Sequence, residues 1–174
     1  MKSRFTKRGI ISGRKPSYKK AIVKLSDGEF IDFYSKNIDK SSIPIKGAVD
    51  FFIWAKNNNI SMAVCTNKQE RLAVNLLKKL NLLNFFDYVA GSDTFSFNKP
   101  DPRHLTDVVE IIGGDLQKTI MVGDSEVDAM SAQNAKLPFI LVKDGYTEKT
   151  EKEIKHDELI SDFVNFEKIL EKFL

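Results

Sequence analysis

From Ile43 onward, two hydrophobic periodicities alternate along the chain. Short continuous apolar runs, read as buried strands, are Ile60–Cys65, Phe86–Ala90, Thr119–Val122 and Phe139–Val142. Between them, apolar residues recur every three or four positions, as on one face of a helix. Val49, Phe52 and Ile53 form such a set with Lys56, and Asn57-Asn58-Asn59 ends it. Leu72, Leu76, Leu77 and Leu80 form a second. Leu105, Val108, Val109 and Ile112 form a third, stopped by Gly113-Gly114. Val127, Met130 and Ala135 mark a fourth, and Phe163, Phe166, Ile169, Leu170 and Phe173 mark a C-terminal docking helix over 163–174. Alternating β and α units of this length predict an α/β fold, a doubly wound parallel sheet covered on both faces.

Composition narrows the class. The chain has 174 residues, 42% of them hydrophobic, which suits one domain with a packed core. No apolar run approaches the roughly 18–20 residues of a membrane helix. Cys65 is the single cysteine, so no internal disulfide forms, and a cytoplasmic location is the expectation. The net charge of +3 conceals an asymmetry. Residues 1–25 carry nine basic side chains and no acid, while the remaining 149 residues hold 18 basic and 24 acidic ones. A basic arm thus precedes an acidic domain. The arm reads as a solvated tail, a polyanion contact or a targeting peptide. It lacks the aromatic interleaving of a nucleic-acid binder, and Gly13 and Pro16 interrupt any long amphipathic helix.

The candidate chemistry lies where strands end. Ligands of open parallel sheets bind at the carboxyl ends of strands. Thr66 and Asn67 follow the first strand, Lys99 sits in the loop after the second, and Asp124 and Asp128 follow the third. A hydroxyl and backbone N–H groups at a helix start hold phosphate oxygens. A lysine offsets charge building on a transferring phosphoryl group. A carboxylate binds Mg²⁺, a hard cation that prefers oxygen. Asp128, one turn beyond Asp124, is placed to orient the loop or Lys99. Singly, each has a plainer reading: Thr66 and the Gly123-Asp124-Ser125 turn as helix caps, Lys99 as a surface lysine, Asp128 as a solvated helix residue. His104 reads as exposed and Trp54 as core edge. The joint order carries the argument.

That order resembles the haloacid dehalogenase (HAD) superfamily, and within it the phosphoglycolate phosphatase-like group. The matching stretches are Val64-Cys65-Thr66-Asn67-Lys68, Asn98-Lys99-Pro100-Asp101-Pro102 and Val122-Gly123-Asp124-Ser125-Glu126-Val127-Asp128, with Ile43–Gly47 and Asn84–Val89 in support. The resemblance implies a Mg²⁺-dependent phosphatase of small phosphorylated metabolites, acting through a phospho-aspartyl intermediate. Thr66 and Asn67 would bind phosphate, Lys99 would balance charge, and Asp124 and Asp128 would serve the metal, Asp128 also supporting the loop. A receiver domain of two-component signalling also sets Asp, Thr and Lys on a parallel sheet. Its acidic pair comes first in the chain, whereas here the acidic cluster comes last.

The family's first motif, Asp-x-Asp-Gly-Thr after a strand, supplies the nucleophile, and no such run occurs in this sequence. Two alignments compete. In one, Ala21–Glu29 is a decayed first motif: Asp27 and Gly28 fit, but Leu25 falls at the nucleophile and has no nucleophilic atom. In the other, Ser26-Asp27-Gly28-Glu29 is a capping box, with Leu25 and Phe30 as a hydrophobic staple. Glu29–Ser42 is then the last helix of a cap domain otherwise absent. The expected organisation is a basic segment plus cap-remnant helix over 1–42 and a HAD-like core over 43–174. A non-catalytic module that binds phosphate and Mg²⁺ is the competing functional reading.

Overall fold

The computed structural model describes residues 42–145, 147 and 149–173. The basic arm, the Ser26–Glu29 segment and the cap-remnant helix lie outside them. The described elements alternate as expected. They are α1 (Ala48–Asn57), β1 (Ala63–Cys65), α2 (Glu70–Lys79), β2 (Tyr88–Ala90), α3 (Arg103–Ile111), β3 (Met121–Gly123), α4 (Glu126–Ala135), β4 (Phe139–Val142), β5 (Glu158–Ile160) and α5 (Phe166–Leu170).

Every described strand pairing is parallel. β1 pairs with β2 in the register Ala63 to Tyr88, forming one two-stranded sheet. β3, β4 and β5 form a three-stranded sheet, Met121 opposite Phe139 and Ile140 opposite Glu158. Among the described residues, β1 pairs only with β2 and β3 only with β4.

β4 shows why a continuous apolar run marks a doubly covered strand. Its four residues are all buried, and the pleat sends them alternately to two cores. Phe139 and Leu141 join Leu105 of α3 and Ala129 and Ala132 of α4 in one cluster. Ile140 and Val142 join Phe166 and Leu170 of α5 in the other, with Phe51 and Trp54 of α1 packed against it. Trp54 is thus half-buried at a core edge, as expected.

Several expectations shift. In α1 the inward residues include Phe51, Trp54 and Ala55, whereas Val49 and Ile53 are exposed. In α4 Met130 is exposed, and the small residues Ala129, Ser131 and Ala132 face inward. The C-terminal helix is a short one, because Asn165 takes a left-handed conformation just before it. Even so, Phe163, Ile169 and Phe173 pack on the second cluster with Phe166 and Leu170. β5 was not anticipated from the sequence. His104 is fully buried rather than exposed.

Candidate phosphate and metal site

The candidate residues come from both sheets and meet at their carboxyl edge. Thr66 directly follows β1, and its amide donates to the carbonyl of Ala90 at the end of β2 (2.9 Å). Its hydroxyl oxygen accepts from the Lys68 amide at 3.1 Å, which turns the chain toward α2. Asn67 donates its side-chain amide to the Lys99 carbonyl at 2.9 Å, so it fastens the loop after β1 to the loop after β2. The Lys99-Pro100 peptide bond in that second loop is cis.

Lys99 is buried, and its ammonium donates to Asp128 Oδ1, an ion pair that spans the two sheets. The second carboxylate oxygen of Asp128 accepts from the Ser125 hydroxyl (2.7 Å) and the Asp124 amide (3.2 Å). Ser125 reciprocates as the N-cap of α4 by accepting from the Asp128 amide. Asp128 therefore spends both oxygens inside the protein, on Lys99 and on the turn that carries Asp124. The approach is so close that a Cβ on Gly123 would lie 2.5 Å from that of Asp128.

Cys65 borders the same group. Burial pushes its thiol up to about 11, with Lys99 pulling it down and Asp128 pushing it up by smaller amounts. His104 lies behind Lys99's loop. Its Nε2 is 3.1 Å from the Gly91 carbonyl, which only accepts, so Nε2 carries the proton. Nδ1 has no partner among the described residues, and burial holds the imidazole below its ordinary pKa.

Two depressions are notable. A cleft of about 560 Å³ opens beside Asp124, walled by the loop after β4 with Lys143, Asp144, Gly145, Thr147 and Lys152. A second, of about 630 Å³, runs along α2 between Arg71 and Asp93 and contains none of the candidate residues. Among the described residues, no three His, Cys, Asp or Glu side chains converge as a metal cluster. Asp124 alone fits the way Mg²⁺ is commonly held at phosphoryl sites, by one or two carboxylates with phosphate and water completing the shell. Sequence reasoning missed Ser125 as a partner of Asp128, although Ser before a helix is an N-cap signal. It also missed the loop after β4, which brings Gly145 against Asp124 only in space.

A hydroxyl, a buried lysine and a carboxylate stand at the carboxyl edge of parallel strands, and the class these strands and helices define is α/β. The sequence profile "Haloacid dehalogenase-like hydrolase" matches residues 5–142. A phosphoglycolate phosphatase of Agrobacterium fabrum is 42% identical over 148 residues, covering 82% of this chain and 64% of the relative. That of Mesorhizobium japonicum is 39% identical over 134 residues, covering 77% of this chain and 59% of the relative. The chain thus spans about three fifths of the length of these relatives. The crystal structure of a "predicted phosphoglycolate phosphatase" from Haemophilus somnus superposes with a TM-score of 0.75 at 22% identity, over 83% of this chain and 68% of that one. This chain belongs to the haloacid dehalogenase-like hydrolase family and has its α/β fold. Among the described residues, no helix is long and apolar enough to cross a membrane.

Proposed function

We infer that this chain is a HAD-family phosphatase of the phosphoglycolate phosphatase type, holding the phosphate- and Mg²⁺-binding half of the site. Its substrates would be small phosphomonoesters, phosphoglycolate among them. The observation that carries the reading is the buried Lys99–Asp128 pair, which draws Lys99 to the turn bearing Asp124 and beside the end of β1.

In this reading Thr66 and the amides at the start of α2 bind phosphoryl oxygens. Lys99 offsets their charge, and Asn67 fixes the Lys99 backbone. Asp124 holds Mg²⁺, which when bound would neutralise the phosphoryl group. Asp128 orients Lys99 and the Asp124 turn.

The missing Asp-x-Asp-Gly-Thr run favours a second statement. Transfer of a phosphoryl group to aspartate needs a nucleophile that this sequence does not present in that motif. The 174 residues alone are therefore expected to bind phosphate without turning over esters.

The test is calorimetry with inorganic phosphate in Mg²⁺, beside phosphate release from phosphoglycolate, for wild type and Asp124→Asn. Mg²⁺-dependent binding lost in the variant, without release, supports both statements. Release that disappears in Asp124→Asn refutes the second and makes Asp27 the first residue to replace. No binding and no release refutes the reading altogether.

A further inference from the structure

The turn that carries Asp124 is gripped from outside by the loop that follows β4. Gly145 lies against Asp124 so tightly that a Cβ there would meet the Asp124 carbonyl oxygen at 2.2 Å and the Asp124 Cβ at 2.4 Å. These are backbone and near-backbone atoms at the end of a strand, with no flexible tip to swing aside. Gly145 is not needed here for a left-handed backbone, since its φ is not in that region. It is needed because only a residue without a side chain lets the two segments touch.

Two residues further on, the same loop takes hold a second time. The Thr147 hydroxyl donates to Glu126 Oε2 at 2.5 Å, and Glu126 is the first residue of α4. That hydroxyl also accepts from the Lys149 amide at 3.1 Å, and the Thr147 amide bonds back to the Gly145 carbonyl at 3.0 Å. The loop is thus braced internally and touches the turn at Asp124 and at Glu126. From beneath, Asp128 holds the same turn through Ser125 and the Asp124 amide. Nothing in the phosphate chemistry requires the upper contacts, and neither Gly145 nor Thr147 was among the candidate residues.

We propose that Gly145 and Thr147 are positioning residues: the loop after β4 clamps the Asp124–Glu126 turn and sets the direction of the Asp124 carboxylate for Mg²⁺. The inference rests on Asp124 as the metal carboxylate. Its physical content is preorganisation, because a carboxylate held in its binding direction loses less freedom when the cation arrives. Groups that orient a metal's ligands typically contribute about 10–100-fold in affinity.

The experiment is Mg²⁺ titration by calorimetry, with and without inorganic phosphate, on wild type, Gly145→Ala, Thr147→Val and Thr147→Ser, each checked for folded fraction by urea unfolding. Turnover plays no part. Thr147→Val keeps the shape and removes both hydrogen bonds of the hydroxyl, and Thr147→Ser restores them. The expected result is a loss of about tenfold in Mg²⁺ affinity for Gly145→Ala and Thr147→Val, with Thr147→Ser near wild type. Folded variants with unchanged Mg²⁺ affinity overturn the proposal, whatever their stability, because a merely structural loop would shift only the unfolding midpoint. Should Gly145→Ala fail to fold, the Val and Ser pair at position 147 decides. A wild type that binds no Mg²⁺ refutes the functional reading and this inference with it, an outcome distinct from clamp failure, in which wild type and variants bind alike.

Discussion

Removing Lys99 should unfold the protein more readily than almost any other single change in the site. Its side chain is 8% exposed and that of Asp128 is 7% exposed, so neither charge is bathed by water. Lys99→Met keeps most of the length and apolar stem but leaves the Asp128 carboxylate buried without a cation. Breaking one partner of a buried pair typically costs about 3–5 kcal/mol. Here the Ser125 hydroxyl and the Asp124 amide still bond to Asp128, which favours the lower end, about 3 kcal/mol. For a domain of this size each kcal/mol moves the melting temperature by about 2–4 °C, so a fall of about 6–12 °C follows. Asp128→Asn strands the lysine instead. The double variant Lys99→Met/Asp128→Asn removes both charges while keeping an acceptor for Ser125. Its loss should fall short of the sum of the two singles by at least about 1 kcal/mol, the signature of direct coupling. Urea unfolding followed by circular dichroism and by the fluorescence of Trp54, the single tryptophan, measures all four proteins. A Lys99→Met loss below about 1 kcal/mol, or losses that simply add, would refute the reasoning.

Three further outcomes follow from the same geometry. Gly123→Ala puts a Cβ 2.5 Å from Asp128 Cβ and 2.6 Å from its Cγ, so it should cost about 1–3 kcal/mol, read from the urea midpoint; a midpoint equal to wild type would show that the contact yields freely. His104 has a folded-state pKa depressed by burial, so the unfolded chain takes up the proton first as pH falls below about 6.5. Stability that is whole above that pH should decline below it, by up to about 1.4 kcal/mol per pH unit, and His104→Gln should lack this part of the decline; parallel curves between pH 7.5 and 5.5 would contradict it. Cys65, its thiol pushed up to about 11 from 9.0 chiefly by burial, should react with a thiol reagent at pH 8 about a hundredfold more slowly in the native protein than in urea, and equal rates would show that the thiol is not held in this way.

What the sequence made legible was whatever depends on local pattern. β4 is apolar on both faces, so its four residues announce a covered strand without any periodicity. The glycine and asparagine stops of α1 and α3 could be read for the same local reason: Asn59 and Gly113 take left-handed conformations just past the helix ends. Thr66 and Asp124 could be placed at strand ends because each follows an apolar run directly, whereas Lys99 stands nine residues beyond the end of β2. The failures are non-local. α1 carries apolar residues on more than one side, and only its packing selects Phe51 and Trp54 for one core, with Phe52 against Phe85 and Phe86, over Val49 and Ile53. In α4 small size outweighs hydrophobicity: Ala129, Ser131 and Ala132 allow close approach, and Met130 is left outside. β5 is three residues among charges and becomes a strand only because β4 pairs with it. His104 was read as exposed, but the Gly91 carbonyl and the Phe95 ring give its imidazole a buried place.

The site and the joint between the two sheets are built from the same residues. Thr66 and Lys99 belong to loops of the β1–β2 sheet, whereas Asp124 and Asp128 lie in the turn and helix that follow β3 of the other sheet. On one face the sheets are tied by α1, whose Phe52 meets Phe85 and Phe86 near β2 while Phe51 meets Phe163 at a tilt and Phe166 edge-on beside the other core. On the opposite face α3 packs on β1 and β2, α4 packs on β3 and β4, and the two helices touch. At the carboxyl edge the tie is polar, made by the Lys99–Asp128 pair, and near the end of α4 Asn134 donates to the Pro100 carbonyl at 3.2 Å. Apolar contacts hold the sheets together without dictating their relative register at the site, because such packing is weakly directional. The ion pair has direction, and it is costly to desolvate. Its placement at the carboxyl edge is therefore better explained by geometry than by stability: it fixes a lysine from one sheet against the Asp124 turn of the other.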